Sequence, residues 1–332
     1  MALTVLKPGL LTTIQDLGRI GYQKHGMMMS GAMDSVSLRI ANLLVGNEEN
    51  EGALEVTLAG PSLRFEEDTL IAITGGNLSP AINKKAIPLS RPISVRKGSV
   101  LTFGPPKYGC RSYLACAGGF LLPKVLRSMS TYLRANLGGY KGRALEQGDV
   151  IKLKTPSQLG KKLMHSLPLP VGKDYKASRW EVNRGFKPDS SQHEVRLIKG
   201  PHFSDFTKSS QEALWNQAFN ISSQSDRMGY RLTGDPLILE KPLELLSEPV
   251  TFGTVQVPPN GEPIILLADR QTIGGYPKIA QVAAVDLPTI AQTKPGESLL
   301  FKEISLEEAE KLFLVQEREI NQLKASLYVK EF

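Results

Sequence analysis

The chain has 332 residues, which at roughly 150 residues per domain predicts about two domains. Hydrophobic residues make up 41% and charged residues 22% of the sequence, values typical of globular domains, so a disordered, collagenous or disulfide-stapled chain is excluded. Because the start lacks a leader pattern and no apolar run approaches the roughly 18 residues of a membrane span, we expect a cytoplasmic protein without a membrane partner.

The net charge of +7 is concentrated in one part of the sequence. Residues 84–154 contain 14 basic and 2 acidic residues, whereas the rest of the chain is acidic overall. The basic residues are scattered singly among apolar ones, and no nucleic-acid-binding motif accompanies them, so a nucleic-acid partner is not expected. This basic segment is either a solvated surface or a docking face for an acidic partner protein or a phosphate-bearing ligand.

The first half of the chain is predicted to be mainly β. Short apolar runs bounded by turn residues predict strands at 62–65, 69–74, 99–103, 111–117 and 149–153. The connections are too short for crossover helices, which favours antiparallel pairing. A single helix is predicted from Ser35 to Val45, with Asp34 as N-cap and Gly46 at its end. One helix among many strands predicts a barrel-like fold.

A domain boundary is predicted where this pattern weakens. From Thr155 to about Gln192 the sequence is rich in Pro, Lys, Ser and Gly and has little periodicity. The predicted organisation is an N-terminal β-barrel subdomain at 1–160, a linker at 161–192, a C-terminal β-barrel subdomain at 193–304, and a C-terminal helix and tail at 305–332.

The second half returns to strand patterns. Strands are predicted at 194–198, 237–239, 250–257 and 263–268. Ser209 with Glu212 predicts a capping box that opens a short helix ending near Phe219, and Ser305 with Glu308 predicts another that opens a helix over 306–327.

Several common kinds of site are absent from the sequence. It contains neither of the familiar glycine-rich phosphate loops, no cysteine or histidine pairs at metal-ligand spacing, and no serine nucleophile elbow. We therefore predict no metal site, and any ATP must be held without a phosphate loop. Cys110 and Cys116 are predicted to be buried strand residues and not nucleophiles.

Four segments concentrate glycine, charged residues and tyrosine beyond what packing requires: 8–23, 30–47, 225–232 and 253–280. The first predicts a hydrogen-bonded turn network. In the second, Ser30 and Gly31 precede the predicted helix, whose first turn can present free N–H groups to an anion. Asp34 in that segment is better explained as the helix cap than as a catalyst.

The third segment, SDRMGYRL, places Asp226, Arg227 and Arg231 around a glycine and a tyrosine. Arginine can bind a carboxylate or phosphate with two parallel hydrogen bonds, which makes this segment a candidate anion site. The structural alternative is an internal ion pair between aspartate and arginine that locks the loop.

The fourth segment runs from an apolar strand at 264–268 directly into polar residues and a glycine turn. The polar residues are Asp269, Arg270 and Gln271 before the turn and Tyr276 and Lys278 after it. A plain turn does not need an acid, two cations and an amide, so we favour a functional loop that faces a cleft.

Together these four segments resemble the 5-oxoprolinase C-subunit family, also described as Kip antagonist or allophanate hydrolase subunit 2-like proteins. That family is similar to part of the carboxyltransferase domain of urea carboxylase. The resemblance spans nearly the whole chain and is carried by SDRMGYRL and GTVQVPPNGEPIILLADRQTIGGYPKIA. One departure is Ile273, where the family pattern has threonine.

The resemblance implies a mainly β fold of two cyclophilin-like β-barrel subdomains with a few short helices and a C-terminal helix. It also implies two partners, a Kip inhibitor-like B subunit and a LamB/YcsF-like A subunit. The implied assembly is a hydrolase that opens 5-oxo-L-proline to L-glutamate, converting ATP to ADP and phosphate, with ATP shared between this chain and its partners.

This chemistry needs cations for a carboxylate and a transferring phosphoryl group, and a carboxylate that moves a proton. We expect Arg227 or Arg270 to clamp the substrate carboxylate and Asp226 or Asp269 to act as base; spacing does not decide between them. The remaining candidate substrate-binding residues are Arg231, Gln271, Tyr276, Lys278, Ser30 and Gly31.

Two other functions fit the same family. One is the carboxyltransferase component of a biotin-dependent, urea carboxylase-like enzyme; the sequence has no Met-Lys-Met biotinylation site, so the biotin would arrive on another chain. The other is a regulatory antagonist that binds a Kip inhibitor-like protein and so frees a sensor kinase.

Overall fold

The computed structural model describes residues 1–182 and 192–329, and it divides into two compact units. The N-terminal unit comprises Met1–Arg19, Ser30–Pro188 and Glu319–Phe332, and the C-terminal unit comprises Ile20–Met29 and Asp189–Arg318. The helices are α1 (Ser35–Leu44), α2 (Gln158–Ser166), α3 (Lys208–Asn216), α4 (Leu287–Gln292) and α5 (Leu306–Val329). Within the described residues no helix is both long and apolar enough to cross a membrane.

The N-terminal unit contains two six-stranded sheets. Its strands are β1 (Ala2–Lys7), β2 (Leu11–Gln15), β3 (Ala53–Thr57), β4 (Ser62–Phe65), β5 (Thr69–Asn77), β6 (Ala81–Ile82), β7 (Lys85–Ala86), β8 (Ile93–Val95), β9 (Val100–Thr102), β10 (Tyr108–Cys116), β11 (Val150–Lys152) and β12 (Tyr175–Ala177). The strand orders are β11-β1-β4-β9-β6-β7 and β12-β8-β5-β10-β3-β2. Alternating apolar residues of both sheets form one shared core, to which β1 contributes Leu3 and Val5 and β5 contributes Ile71 and Ile73.

Helix α1 is amphipathic and packs against strands β5 and β10. Its predicted cap is present, since the Asp34 carboxylate accepts a hydrogen bond from the Ser37 N–H at 2.8 Å. Gly46 follows the helix with a φ of +74°, a conformation that ends a helix readily when the residue is glycine.

The C-terminal unit contains a closed seven-stranded barrel. Its strands are β13 (Gln192–Lys199), β14 (Ala218–Ile221), β15 (Gly229–Thr233), β17 (Thr254–Gln256), β18 (Ile264–Leu266), β20 (Lys278–Val282) and β21 (Ser298–Glu303), in the order β13-β20-β17-β18-β15-β14-β21. Strands β13 and β21 pair in parallel from Gln192↔Ser298 to Leu197↔Glu303, whereas the other barrel pairs are antiparallel. A small sheet joins β16 (Glu248–Pro249) to β19 (Ile273–Gly274).

The predicted mainly β fold with few helices is confirmed, and some elements differ in detail. The segment expected to be a linker contains part of α2 and the strand β12, which pairs with β8. The apolar face of α2 is short, with Leu159 and Leu163 buried, so its periodicity is hard to detect in the sequence.

Two predicted caps had different outcomes. Helix α3 is capped by Thr207, whose hydroxyl accepts from the Ser210 N–H at 3.2 Å, so the capping box predicted at Ser209 is wrong. Two hydroxyl residues lie close together there, and the sequence does not show which one has the non-helical backbone. The box predicted at Ser305 is confirmed, with reciprocal bonds to Glu308 of 3.2 and 3.3 Å. At 237–239, where a strand was predicted, the structure has only an isolated antiparallel β-bridge between Leu239 and Phe206.

Candidate active site

The third and fourth of the four candidate segments lie side by side in the barrel of the C-terminal unit. Strands β15 and β18 pair antiparallel, with Gly229 opposite Leu266. Beyond that point the pairing continues into the loops, because the Leu267 N–H donates to the Met228 carbonyl at 2.9 Å and the Asp269 N–H donates to the Arg227 carbonyl at 2.8 Å. Two segments about 40 residues apart in sequence are therefore joined by backbone hydrogen bonds.

Arg227 and Asp269 form a buried ion pair across this junction. The guanidinium donates to the two oxygens of the carboxylate at 2.8 and 3.2 Å, and both residues are less than a tenth exposed. Two parallel bonds to one carboxylate are the geometry that arginine forms best. This ion pair joins the third segment to the fourth, whereas the structural alternative predicted from the sequence was an ion pair within the loop of the third segment.

Arg270 is as buried as Arg227 but has a different environment. Its side chain is 7% exposed, one amino group donates to the Leu267 carbonyl at 3.2 Å, and Nε has no hydrogen-bond partner among the described residues. No carboxylate of residues 1–182 or 192–329 forms an ion pair with it. Burial lowers the pKa of Arg270 to about 10, so the side chain is still a cation at neutral pH.

The Phe252 ring supports the Arg270 guanidinium, with the carbon of that group 5.8 Å from the ring centroid. The loop that carries Phe252 is held by Gln281 of β20, whose amide donates to the Phe252 carbonyl at 2.8 Å. The amide oxygen of Gln281 also accepts from the hydroxyls of Thr251 and Thr254, at 2.9 and 3.0 Å. This support was not predicted from the sequence, because it depends on strand pairing that brings residues 251–254 next to residue 281.

Asp226 and Gln271 flank the buried arginines. Asp226 is exposed, and its carboxylate accepts from the N–H groups of Met228 and Gly229 at 2.8 and 3.3 Å, which fixes the turn. Gln271 is half-buried directly after Arg270.

Arg231 and Tyr276, which are far apart in sequence, line one cavity of about 270 Å³. Asn260 and Glu262 complete its polar lining. No carboxylate of the described residues pairs with the exposed Arg231 side chain. The cavity therefore offers a guanidinium and a phenol to a small ligand.

Lys278 lies at the start of β20, and its side chain is already paired within the protein. Its ammonium group forms an ion pair with Glu248, which holds the pKa of that carboxyl below its ordinary value. The backbone N–H of Lys278 donates to Nδ1 of His202 at 3.1 Å.

A second cavity, of about 790 Å³, adjoins the first and shares Tyr276 and Asn260 with it. Its described lining contains no charged residue but has five prolines: Pro236, Pro242, Pro258, Pro259 and Pro277. We call it the proline groove.

Ser30 and Gly31 belong to the N-terminal unit. Both have positive φ angles, +53° for Ser30 and +94° for Gly31, which is strained for serine. Ser30 is 2% exposed, and its hydroxyl has no partner among the described residues.

A buried polar network that sequence reasoning missed fixes the turn after Ser30. The Met33 N–H donates to a Glu55 carboxylate oxygen at 2.9 Å, and the Asp34 N–H donates to the Tyr113 hydroxyl at 2.8 Å. That hydroxyl in turn donates to Glu55 at 2.8 Å. Burial raises the pKa of Tyr113 well above its ordinary value, and the charges of Glu55 and Asp34 raise it further. Glu55 lies between apolar residues of β3 and Tyr113 lies about 60 residues later in β10, so the sequence gives little signal of the network.

The predicted turn network of the first segment is centred on Asp16, which is fully buried. Its carboxylate accepts from the Ser128 and Ser130 hydroxyls at 2.7 and 2.6 Å and from the N–H groups of Met129 and Gly18 at 2.6 and 2.8 Å. A carboxylate with four donors is structural, because its lone pairs are already occupied.

The basic segment of the N-terminal unit is partly neutralised by acids. Lys85 pairs with Asp174 at 3.0 Å, and Arg143 pairs with Asp149 at 2.7 Å. The Lys85 pair is exposed and adds little stability, and the Arg143 pair uses a buried aspartate, so both the arginine and the lysine are already paired within the protein.

Both cysteines lie in β10 and are buried and free, as predicted. Burial raises the pKa of Cys116 to about 12, which makes it a poor nucleophile at neutral pH. Among the described residues, no three His, Cys, Asp or Glu side chains cluster in a way that could hold a metal ion.

Comparison with known proteins relates the whole chain to one family. Residues 25–303 match the family described as carboxyltransferase domain, subdomain A and B. The chain is 40% identical to the C subunit of 5-oxoprolinase from Haemophilus influenzae, covering 94% of each protein. It is 39% identical to the C subunit from Escherichia coli, covering 98% of this chain and 99% of the relative.

Longer proteins contain a similar domain. The chain is 36% identical to the urea amidolyase of Lachancea kluyveri, of which it covers 18%. The solved urea carboxylase of Kluyveromyces lactis superposes with a TM-score of 0.87 at 31% identity, covering all of this chain and 30% of that one.

Proposed function

Because the chain belongs to the 5-oxoprolinase C-subunit family of carboxyltransferase-domain proteins, we propose that it is the C subunit of an ATP-dependent 5-oxoprolinase. Its partners in this assembly are a Kip inhibitor-like B subunit and a LamB/YcsF-like A subunit, and the assembly acts in the cytoplasm. The substrate is 5-oxo-L-proline, a five-membered lactam with a free carboxylate, and the product is L-glutamate.

The observation that supports this function best is the unpaired Arg270. A buried charge is normally paired or neutral, because removing it from water costs several kcal/mol. Arg270 remains a buried cation without a carboxylate among the described residues, so a bound anion supplies the missing charge. Arg227 is already bound to Asp269 at 2.8 Å. Of the two arginines considered for the substrate carboxylate, Arg270 is therefore the clamp.

The two aspartates can be separated in the same way. Both oxygens of Asp269 accept from Arg227, and the residue is 5% exposed. Asp226 is exposed beside the same turn and can exchange protons with water and substrate. We assign the base to Asp226 and a structural role to Asp269.

The reaction requires ATP because a lactam is a resonance-stabilised amide with a poor leaving group. Transfer of the γ-phosphoryl group to the lactam oxygen makes the ring carbon electrophilic. Water then adds, the carbon–nitrogen bond breaks as the nitrogen gains a proton, and a second water hydrolyses the resulting acyl phosphate to L-glutamate and phosphate. Arg231, Tyr276, Lys278 and Gln271 supply further polar contacts. Since the sequence has no phosphate loop, ATP is shared with a partner protein.

The test is glutamate formation from 5-oxoproline and ATP by the candidate A and B subunits, with and without this chain. We expect glutamate only when the chain is present, and a loss of at least a hundredfold with Arg270→Met but not with the exposed control Arg318→Met. Activity that is independent of the chain contradicts the proposal.

The urea carboxylase relatives favour one alternative, transfer of a carboxyl group from carboxybiotin on another chain. It predicts carboxylation that depends on a biotinylated carrier and no glutamate formation. The same purified chain can be assayed for both products.

A further inference from the structure

The proline groove continues into a loop that is unusually apolar and exposed. Residues 234–253 connect β15 to β17, and apart from the two-residue strand β16 and an isolated bridge at Leu239 they have no regular structure. Within this loop Ile238 is 58% exposed, Leu243 37% and Leu246 90%. Tyr276, at 45%, and Ile273, at 53%, add apolar surface from the facing turn. Clustered exposed apolar residues of this kind mark a surface that is covered in the functional protein.

The tip of the loop makes no polar contacts of its own. Residues 241–247 take part in no hydrogen bond or ion pair within the described parts of the chain. Their backbone groups are therefore free to pair with another polypeptide. These exposed groups bond to water in the free protein; a small apolar ligand would not use them, whereas a protein segment can pair with them.

The base of the loop is fixed, which keeps the groove open. The Leu237 N–H donates to the Gly261 carbonyl at 2.9 Å, and the Ile238 N–H donates to the Ser210 hydroxyl at 2.8 Å. The five prolines of the lining have restricted backbones and no N–H groups. The groove is preformed, so a partner does not have to order it.

The charges beside the groove define the partner further. Residues 235–249 and 258–262 contain five acidic residues and one lysine, although the chain as a whole carries a net charge of +7. One of the five, Glu248, is paired with Lys278, and the other four still outnumber the lysine. An acidic border around an apolar groove favours an apolar segment flanked by lysine or arginine. A second copy of this chain that docked through the same surface would bring the same acidic border and so would not offer that complement.

We propose that the proline groove and the loop between β15 and β17 form the docking surface for a partner protein of the assembly, which inserts an apolar segment flanked by basic residues. The inference rests on the proposed function for the existence of such a partner. Because the groove shares Tyr276 and Asn260 with the cavity that contains Arg231, the docked segment also forms a wall of that cavity. The 5-oxoproline site is then completed only in the assembly.

The test compares two exposed leucines of the C-terminal unit. Leu246→Glu changes the loop, and Leu314→Glu, at a position 61% exposed on α5, is the matched control. Association of each full-length variant with the purified A and B subunits, one at a time, is measured by isothermal titration calorimetry. We expect Leu246→Glu to weaken binding of one of them at least tenfold and Leu314→Glu to change it less than twofold. A thermal melt of each variant shows that both are folded.

A second pair of variants tests the charge argument. Glu240→Lys with Glu244→Lys should weaken the same association and reduce its dependence on salt, whereas Glu310→Lys on α5 should not. Equal binding by the parent and Leu246→Glu overturns the inference. So does a dimer of the chain alone that Leu246→Glu dissociates, because the occupant is then a second copy.

The glutamate assay separates this inference from the proposed function. If the parent assembly forms no glutamate but binding depends on Leu246, the docking surface stands and the assigned reaction fails. In the other case the assembly forms glutamate, and the rate depends on the concentration of the added partners in the same way for Leu246→Glu as for the parent. The reaction then stands and the docking surface is wrong.

Discussion

Arg227 and Arg270 lie on two joined turns of the same barrel and are equally buried, at 7% exposure each. Arg227 has a carboxylate at 2.8 Å, and Arg270 has none among the described residues. Burial alone therefore does not distinguish a structural arginine from one proposed to bind a ligand. The difference lies in whether the fold itself supplies the counter-charge.

Removing the paired arginine should have the largest effect on stability. Arg227→Met leaves the Asp269 carboxylate buried without its partner, and losing one member of a buried pair typically costs about 3–5 kcal/mol. Urea denaturation followed by circular dichroism measures the loss. The double variant Arg227→Met, Asp269→Leu should be more stable than Arg227→Met alone; a strictly additive result would show that the pair is not the cause.

Replacing Arg270 should change the free energy of unfolding in the opposite direction. Burial lowers the pKa of Arg270 from 12.5 to about 10, which corresponds to a cost of about 3 kcal/mol at most while the side chain stays charged. Arg270→Met should therefore raise the free energy of unfolding by about 1–3 kcal/mol while abolishing 5-oxoproline turnover. A variant that loses stability together with activity would indicate a structural role.

The gain in unfolding free energy from Arg270→Met should be constant near neutral pH and shrink at high pH. The folded state binds the Arg270 proton less tightly than the unfolded state does, so the cost is fully present below pH 10. It is relieved as the pH rises through about 10 towards 12.5. Across pH 6–9 the difference in unfolding free energy between parent and Arg270→Met should be constant, and a slope in that range would contradict the assignment.

Removing the hydrogen bonds that hold the Phe252 loop against Arg270 should have a smaller effect on stability. Gln281→Leu removes the bond to the Phe252 carbonyl and the acceptor of two threonine hydroxyls, at a cost of about 1–2 kcal/mol. Because the Phe252 ring then holds the guanidinium less firmly, the KM for 5-oxoproline should rise more than kcat falls. An unchanged KM would show that Phe252 does not position Arg270.

The smallest change in stability is expected at the proposed base. Asp226→Asn keeps an oxygen that can accept from the Met228 and Gly229 N–H groups, so the free energy of unfolding should change by less than about 0.5 kcal/mol. Loss of a general base typically lowers kcat by about a hundredfold or more. If Asp269→Asn, compared at equal folded fraction, lowers kcat by more than Asp226→Asn does, the two aspartates have been assigned the wrong way round.

The sequence predicts local features of this protein well and tertiary partners poorly. The cap at Asp34, the box at Ser305 and several strands follow from neighbouring residues, and the structure has them. The partner of Arg227 could not be chosen from the sequence, because Asp226 is adjacent and Asp269 is about 40 residues away. Strand pairing decides that choice, and it also creates the support of Arg270 by Gln281.

The parallel pairing of β13 with β21 has a consequence for how the barrel forms. These strands are separated by about 100 residues, and β21 lies between β13 and β14 in the closed ring. Contacts this distant in sequence close slowly, because the chain must first lose the entropy of a long loop. On the ribosome, the edges of β13 and β14 that pair with β21 stay open until Glu303 has emerged, so nascent chains that stop earlier expose two unpaired strand edges and are prone to aggregate.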